Sequence, residues 1–240
     1  MMMLTLHRPA IAMIELIFAI VIMGIVMMSA PMLISTASNS GYVAIQQEGI
    51  NEAATQMSIM MDYPWDENNT VDINSTVLNV SNGAAALNGT LAVPKRRAGT
   101  PLNSNRVYLN DAGIDDTNAS AIGLDGVETI ASIDDIDDFN GTTVNLNEIN
   151  ASTADYIEKD VDINITRTVT YMNDGATNYS TGGGGGTLSY TPDFNTTTST
   201  TNIKRLQVTL TSTSRVDELK KTITLHAFSC NIGSYKLEER

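Results

Sequence analysis

The sequence predicts an α+β protein in which one long N-terminal helix, transmembrane over its first half and amphipathic over its second, packs on an antiparallel β-sheet head. Three observations predict it. The first is an apolar run from Ile11 to Ile34 whose only charged residue is Glu15. The second is that this run passes, without a helix stop, into a stretch whose apolar and small residues recur every three or four positions. The third is that the residues after Pro64 change character, becoming rich in Asn, Thr, Asp, Ser and Gly with short β-branched, alternating segments.

Residues 1–10 read MMMLTLHRPA, a leader whose charges are Arg8 and, when protonated, His7. Positive charge ahead of a span keeps that end in the cytoplasm. The run 11–34 is long enough for a bilayer-spanning helix, which takes roughly 20 apolar residues. A secretory signal peptide also has a basic start and an apolar core, but this core is about twice the usual length of one and contains an acid. That acid needs a reason, because an ionised side chain within a membrane costs about 2.5–3.5 kcal/mol on insertion scales.

From 35 to 62 the helix continues with an amphipathic pattern. Tyr42, Ile45, Gly49, Ala53, Met57, Met60 and Met61 form the packing face, against Gln46, Gln47, Glu48, Glu52 and Gln56. Together the two halves would make a rod of roughly 75 Å at about 1.5 Å per residue. Asp62-Tyr63-Pro64 ends it, since proline clashes with the turn before it and holds the preceding residue extended.

The head spans 63–240. Four segments read as strands: 71–77, 160–172, 203–212 and 220–228, the last two joined by a turn at 213–219. Their inward core would be Val161, Ile163, Ile165, Val169, Leu206, Val208, Leu210, Ile223 and Leu225. Asn- and Gly-rich stretches at 81–90, 111–126 and 174–201, including the glycines at 182–186, read as flexible surface loops. Cys230, the single cysteine, excludes an intrachain disulfide and a cysteine-rich metal site; beside Phe228 it reads as a small buried hydrophobe.

The formal net charge of −13 lies almost wholly in the head and argues against a nucleic-acid partner, which requires a basic surface. Lys95-Arg96-Arg97 is a small basic island, suited to a solvated turn or to an acidic neighbour. Nothing marks a catalyst. His7 and His226 are far apart in sequence, Cys230 has no evident base, and the glycine run lacks the Lys-Ser/Thr that completes a phosphate loop.

Two clusters remain. Asp134, Asp135, Asp137, Asp138 and Asn140 precede Gly141, and such hard oxygen ligands in a tight turn could hold Ca²⁺, although the spacing is not that of an EF-hand. A solvated acidic loop is the other reading. Separately, seven of ten Asn-x-Ser/Thr sequons carry an acid two residues earlier, at Asn68, Asn74, Asn118, Asn140, Asn150, Asn164 and Asn195, where 27 acids in 240 residues would give about one in ten. The longer form resembles the acceptor of bacterial periplasmic N-glycosylation. Strand alternation alone would produce 72–76 and 162–166.

Ala10 followed by IAMIELIFAIVIMGIV resembles the N-terminal signature of type IV pilins and type II secretion pseudopilins. The resemblance implies a pilin-like fold, cleavage between Ala10 and Ile11 by a prepilin peptidase, and N-methylation of Ile11. It makes Glu15 the fifth mature residue, which in the family pairs with the free amine of a neighbouring subunit. Gly24 falls where the family often has glycine, and Pro31 near its helix-bending proline. Three departures are visible: Ala10 where glycine is commoner, Ile11 in place of phenylalanine or methionine, and Pro31 one place early. The implied partners are other pilin or pseudopilin subunits, the peptidase, an inner-membrane assembly platform and membrane lipid. The implied location is the bacterial inner membrane, N-terminus cytoplasmic, with the head in the periplasm or on the cell-surface filament. Tyr63-Pro64-Trp65-Asp66-Glu67 and the 134–141 stretch further resemble the D-type minor pilin of the mannose-sensitive haemagglutinin pilus. A structural filament subunit is therefore expected, and a non-polymerising, single-pass membrane-anchored adhesin or calcium-binding module is the rival.

Overall fold

The computed structural model describes residues 8–69, 77–84, 118–126, 128–145, 163–182, 185–190, 195–214, 217 and 219–232. They fall into two compact units, Met1–Glu48 and Gly49–Arg240. Helix α1, Arg8–Asp62, runs through the first unit and ends in the second.

In the first unit every large apolar side chain from Met13 to Ile34 is at least half exposed. Among the described residues this is the one helix long and apolar enough to cross a membrane. Two of its hydroxyls are satisfied within the helix itself: Ser29 Oγ donates to the Val26 carbonyl at 3.0 Å and Thr36 Oγ1 to the Met32 carbonyl at 2.9 Å. Such back-bonding lets a hydroxyl sit in an apolar medium without an orphaned donor. The helix continues through Pro31.

In the second unit the last turns of α1 bury Gly49, Ala53, Met57 and Met60, a stripe at spacings of four, four and three. Gly49 is the tightest point, since a Cβ there would stand 2.8 Å from Leu210 Cδ1 and 3.4 Å from Ile163 Cδ1. Met61, expected on the packing face, is instead 56% exposed. One step past Met60 turns the side chain by about 100°, off the stripe.

The main sheet is antiparallel, in the order β1-β2-β6-β7, with β1 at Thr143–Asn145, β2 at Ile163–Met172, β6 at Ile203–Ser212 and β7 at Ile223–Cys230. A two-residue strand β5, Thr196–Thr197, also pairs with β2. β2 and β6 pair over all ten residues, Ile163 opposite Ser212 through Met172 opposite Ile203. Their inner faces bury Ile163, Ile165 and Val169 from β2, and Leu206, Val208 and Leu210 from β6, as the alternation predicts. Ile223 and Leu225 are only half-buried. The core also takes Ile136, Phe139 and Leu219, with Trp65, Leu78 and Tyr171 forming a cluster of their own.

Several further expectations are corrected. Residues 176–190, expected in a flexible loop, form a second antiparallel pair, β3 (Ala176–Gly182) with β4 (Gly185–Tyr190). Of the glycine run expected in that flexible loop, Gly182 pairs with Gly185 and Gly186 with Thr181 at the end of this hairpin. Other parts of the supposed loops are tied down: Asn79 bridges Asn118, the Asn82 N–H donates to the Thr200 carbonyl, and the Ala84 N–H donates to the Asp174 carboxylate. Cys230 is exposed rather than buried, because β7 points Thr224, His226, Phe228 and Cys230 outward and the alternate residues inward. Strand β7 also begins three residues later than expected. Residues 71–76, Val161 and Lys95-Arg96-Arg97 lie outside the described residues.

Candidate functional site

Two places concentrate chemistry, one in each unit. In the first, Ala10 and Ile11 lie in the backbone of α1, one turn ahead of Glu15. Glu15 is exposed and makes no ion pair among the described residues. It is the sole ionisable side chain between Met13 and Ile34. A Cβ on Gly24 would meet nothing within 4 Å, so no packing within this chain demands glycine there.

The second place was not foreseen from the sequence. Strand β6 carries its inner face on Lys204, Leu206, Val208 and Leu210, so the alternation that buries three aliphatic residues also buries a lysine completely. Lys204 Nζ lies 2.6 Å from Asp137 Oδ2, 3.2 Å from Asp66 Oδ2 and 2.6 Å from the Trp65 carbonyl oxygen. The indole of Trp65 lies over it with its centroid 3.9 Å away, and Tyr171 stands 5.5 Å off. Asp66 and Asp137 are both shut from solvent. A buried ammonium would cost several kcal/mol without such partners, and the three acceptors here offset that penalty.

Asp66 and the acids next to the hub also order backbone. Asp66 accepts N–H groups from Asn68 and Ser120, binding the segment after α1 to residues 118–120. Asp135 accepts from the N–H groups of Asp137 and Asp138, at 2.7 and 3.1 Å, and so starts the 3-10 turn Asp137–Phe139. Asp138 accepts from the Asp134 N–H, and the Asn140 side-chain oxygen accepts from the Val169 N–H on β2. Gly141, at φ +76°, turns the chain so that Gly141 and Thr142 exchange backbone hydrogen bonds with Arg167. Phe139 is packed edge-on against Tyr63, centroids 5.0 Å apart, with the Arg167 guanidinium 4.8 Å from its ring.

The five residues expected to hold Ca²⁺ are therefore not gathered as a ligand set. Asp135, Asp137, Asp138 and Asn140 face protein donors, Asp138 also standing beside Glu128, and Asp134 joins an acidic group. Its companions are Glu67 and Glu128, and the three carboxylates come within 4.8 Å of one another. Burial pushes Glu67 up to about 7, aided by a hydrogen bond with Asp134 and by the charges of Asp134 and Glu128. Burial likewise raises Asp135 to about 6 and Asp137 to about 7, against the opposing pull of Lys204. Crowded acids of this kind reduce their repulsion by retaining a proton.

Of the seven acid-preceded sequons, Asn68, Asn118 and Asn195 are exposed, whereas Asn140 and Asn164 are half-buried. Asn164 pairs within β2 between β1 and β6, and Asn140 is held by β2. Asn68 Nδ2 donates to the Asn118 carbonyl, which places two sequons side by side. Asn74 and Asn150 lie outside the described residues.

Lysine in phase with Leu206, Val208 and Leu210, and arginine in phase with Ile163, Ile165 and Val169, were the sequence signals for a polar centre within the core. No protein-family model matches the chain, and no curated protein or solved structure is significantly similar to it.

Proposed function

We propose that the chain is a structural subunit, a minor pilin or pseudopilin, of a type IV pilus or type II secretion filament. In this reading the span 11–34 resides in the inner membrane, a prepilin peptidase cuts between Ala10 and Ile11, and the mature span stays there until assembly. The subunit then enters a helical filament with its pilin-like head outward, and Glu15 pairs with the N-terminal amine of a neighbour. The observation that carries the reading is a helix with apolar side chains exposed on every side and one carboxylate near its start. An exposed apolar surface of that extent requires lipid or other apolar helices around it. Glu15 requires a counter-charge in either medium, and the α-amine freed by cleavage is a cation of matching depth.

The test is Glu15→Ala. Membrane insertion should persist, since the substitution makes the span more apolar, while entry into filaments should fall at least tenfold. Normal incorporation of the variant would remove the pairing mechanism. A non-polymerising anchored head predicts no dependence of assembly on Glu15, and the same experiment separates the two.

A further inference from the structure

We propose that Lys204 and Asp137 become joined by an intramolecular amide, formed in the folded head by condensation of Lys204 Nζ with the Asp137 carboxyl, with Asp66 as proton shuttle. The amine and the carboxyl it would attack are already hydrogen-bonded, Nζ lying 2.6 Å from Asp137 Oδ2. They are held there by the Trp65 carbonyl and by Asp66, which fixes orientation without a further ordering cost. All three side chains are excluded from water, with the Lys204 and Asp66 side chains at 0% exposure and that of Asp137 at 1%. Exclusion favours condensation twice: it keeps out the water that would reverse it, and it disfavours separated charges relative to a neutral amine and a neutral acid.

The two carboxylates are not equivalent. Asp66 has both oxygens engaged by the N–H groups of Asn68 and Ser120, which holds it as an acceptor. Asp137 Oδ1 is buried with no hydrogen-bond partner among the described residues. As an ion pair, the hub therefore carries one unsatisfied carboxylate oxygen and two acids facing one ammonium. Condensation removes the Lys204 and Asp137 charges together and turns the unpaired oxygen into that of a neutral amide, which is less costly to bury.

The step balances without a co-reactant. One Nζ proton moves to Asp137 Oδ2, and the amine lone pair then attacks Cγ to form the N–C bond. Asp66 takes a second Nζ proton and delivers it to Oδ2 as the C–O bond breaks. Water leaves, the third proton stays on the amide nitrogen, and Asp66 ends as it began. The bond would tie central strand β6 to the turn Asp137–Phe139, across a sequence separation of 67 residues, in a chain whose single cysteine allows no internal disulfide.

The experiment is a proteolytic mass map of the full chain, purified in detergent and denatured before digestion. Expected is a branched peptide pair containing residues 137 and 204, lighter by one water than the sum of the two peptides. Recovery of both peptides separately at full mass from the folded wild type would overturn the proposal and leave an ion pair. Lys204→Arg should abolish the linked pair, and a link that persists there would assign the bond elsewhere. Asp66→Asn, checked for folding by its melting transition, should yield unlinked peptides; linkage at the wild-type extent would overturn the shuttle.

Discussion

Lys204 governs the head because it is the one fully buried lysine among the described residues and three acceptors converge on it. Replacing it by methionine keeps the stem's volume but strands Asp66 and Asp137. Removing one partner from a buried ionic group typically costs about 3–5 kcal/mol, and a urea titration of the variant should show a loss of at least that order, since it also forecloses the amide to Asp137. The neighbouring acids set a pH dependence. Glu67 rises from 4.5 to about 7 and Asp135 from 3.8 to about 6, burial being the first cause for each. An acid whose pKa is raised by folding makes the folded state bind the extra proton, so its contribution to stability is present below the unfolded pKa and is lost as pH climbs to the folded one. Thermal melts should therefore show the midpoint falling between about pH 4.5 and 7, and Glu67→Gln should flatten part of that slope. A midpoint rising across the window would contradict the burial of these groups. The sequence exposed the acids but not their roles. Five oxygen-bearing side chains within residues 134–140 look like a cation loop until the fold turns Asp135 toward backbone and Asp137 toward a lysine distant in sequence.

Among the elements, the helix was the most legible. Pro64 set its end, and the spacing of Gly49, Ala53, Met57 and Met60 set its buried stripe. Gly49→Val should be destabilising by about 1–3 kcal/mol through overpacking against Leu210 and Ile163, and Met60→Ala by about 2–5 kcal/mol through the cavity it leaves. Equilibrium unfolding of the two variants measures both. Strands β2 and β6 were legible because one face is buried and the other wet, which imposes alternation. The β3–β4 hairpin was not, since glycine and small polar residues carry a weak strand signal and only the pairing partner supplies order. Cys230 was misread because its position beside Phe228 says nothing about which face of β7 the pair occupies. Placed outward, it should react with a maleimide in the folded protein at a rate within about tenfold of the unfolded chain, as an exposed thiol does.

At the scale of the whole molecule, composition divides the chain into an apolar first stretch and an acidic, polar head, while the boundary between the two compact units falls within the helix, between Glu48 and Gly49. One helix serves both, lipid-like in its side chains up to Ile34 and amphipathic where it meets the sheet. The functional reading rests on the first unit, where the single carboxylate of an apolar helix has no ion-pair partner among the described residues. The measurement that tests this most directly is the N-terminal residue of the protein after co-expression with a prepilin peptidase, read by mass spectrometry of its first peptide. A mature chain beginning at N-methylated Ile11, with Glu15 as its fifth residue, is the predicted result. A chain that keeps residues 1–10 in the presence of an active peptidase would contradict it.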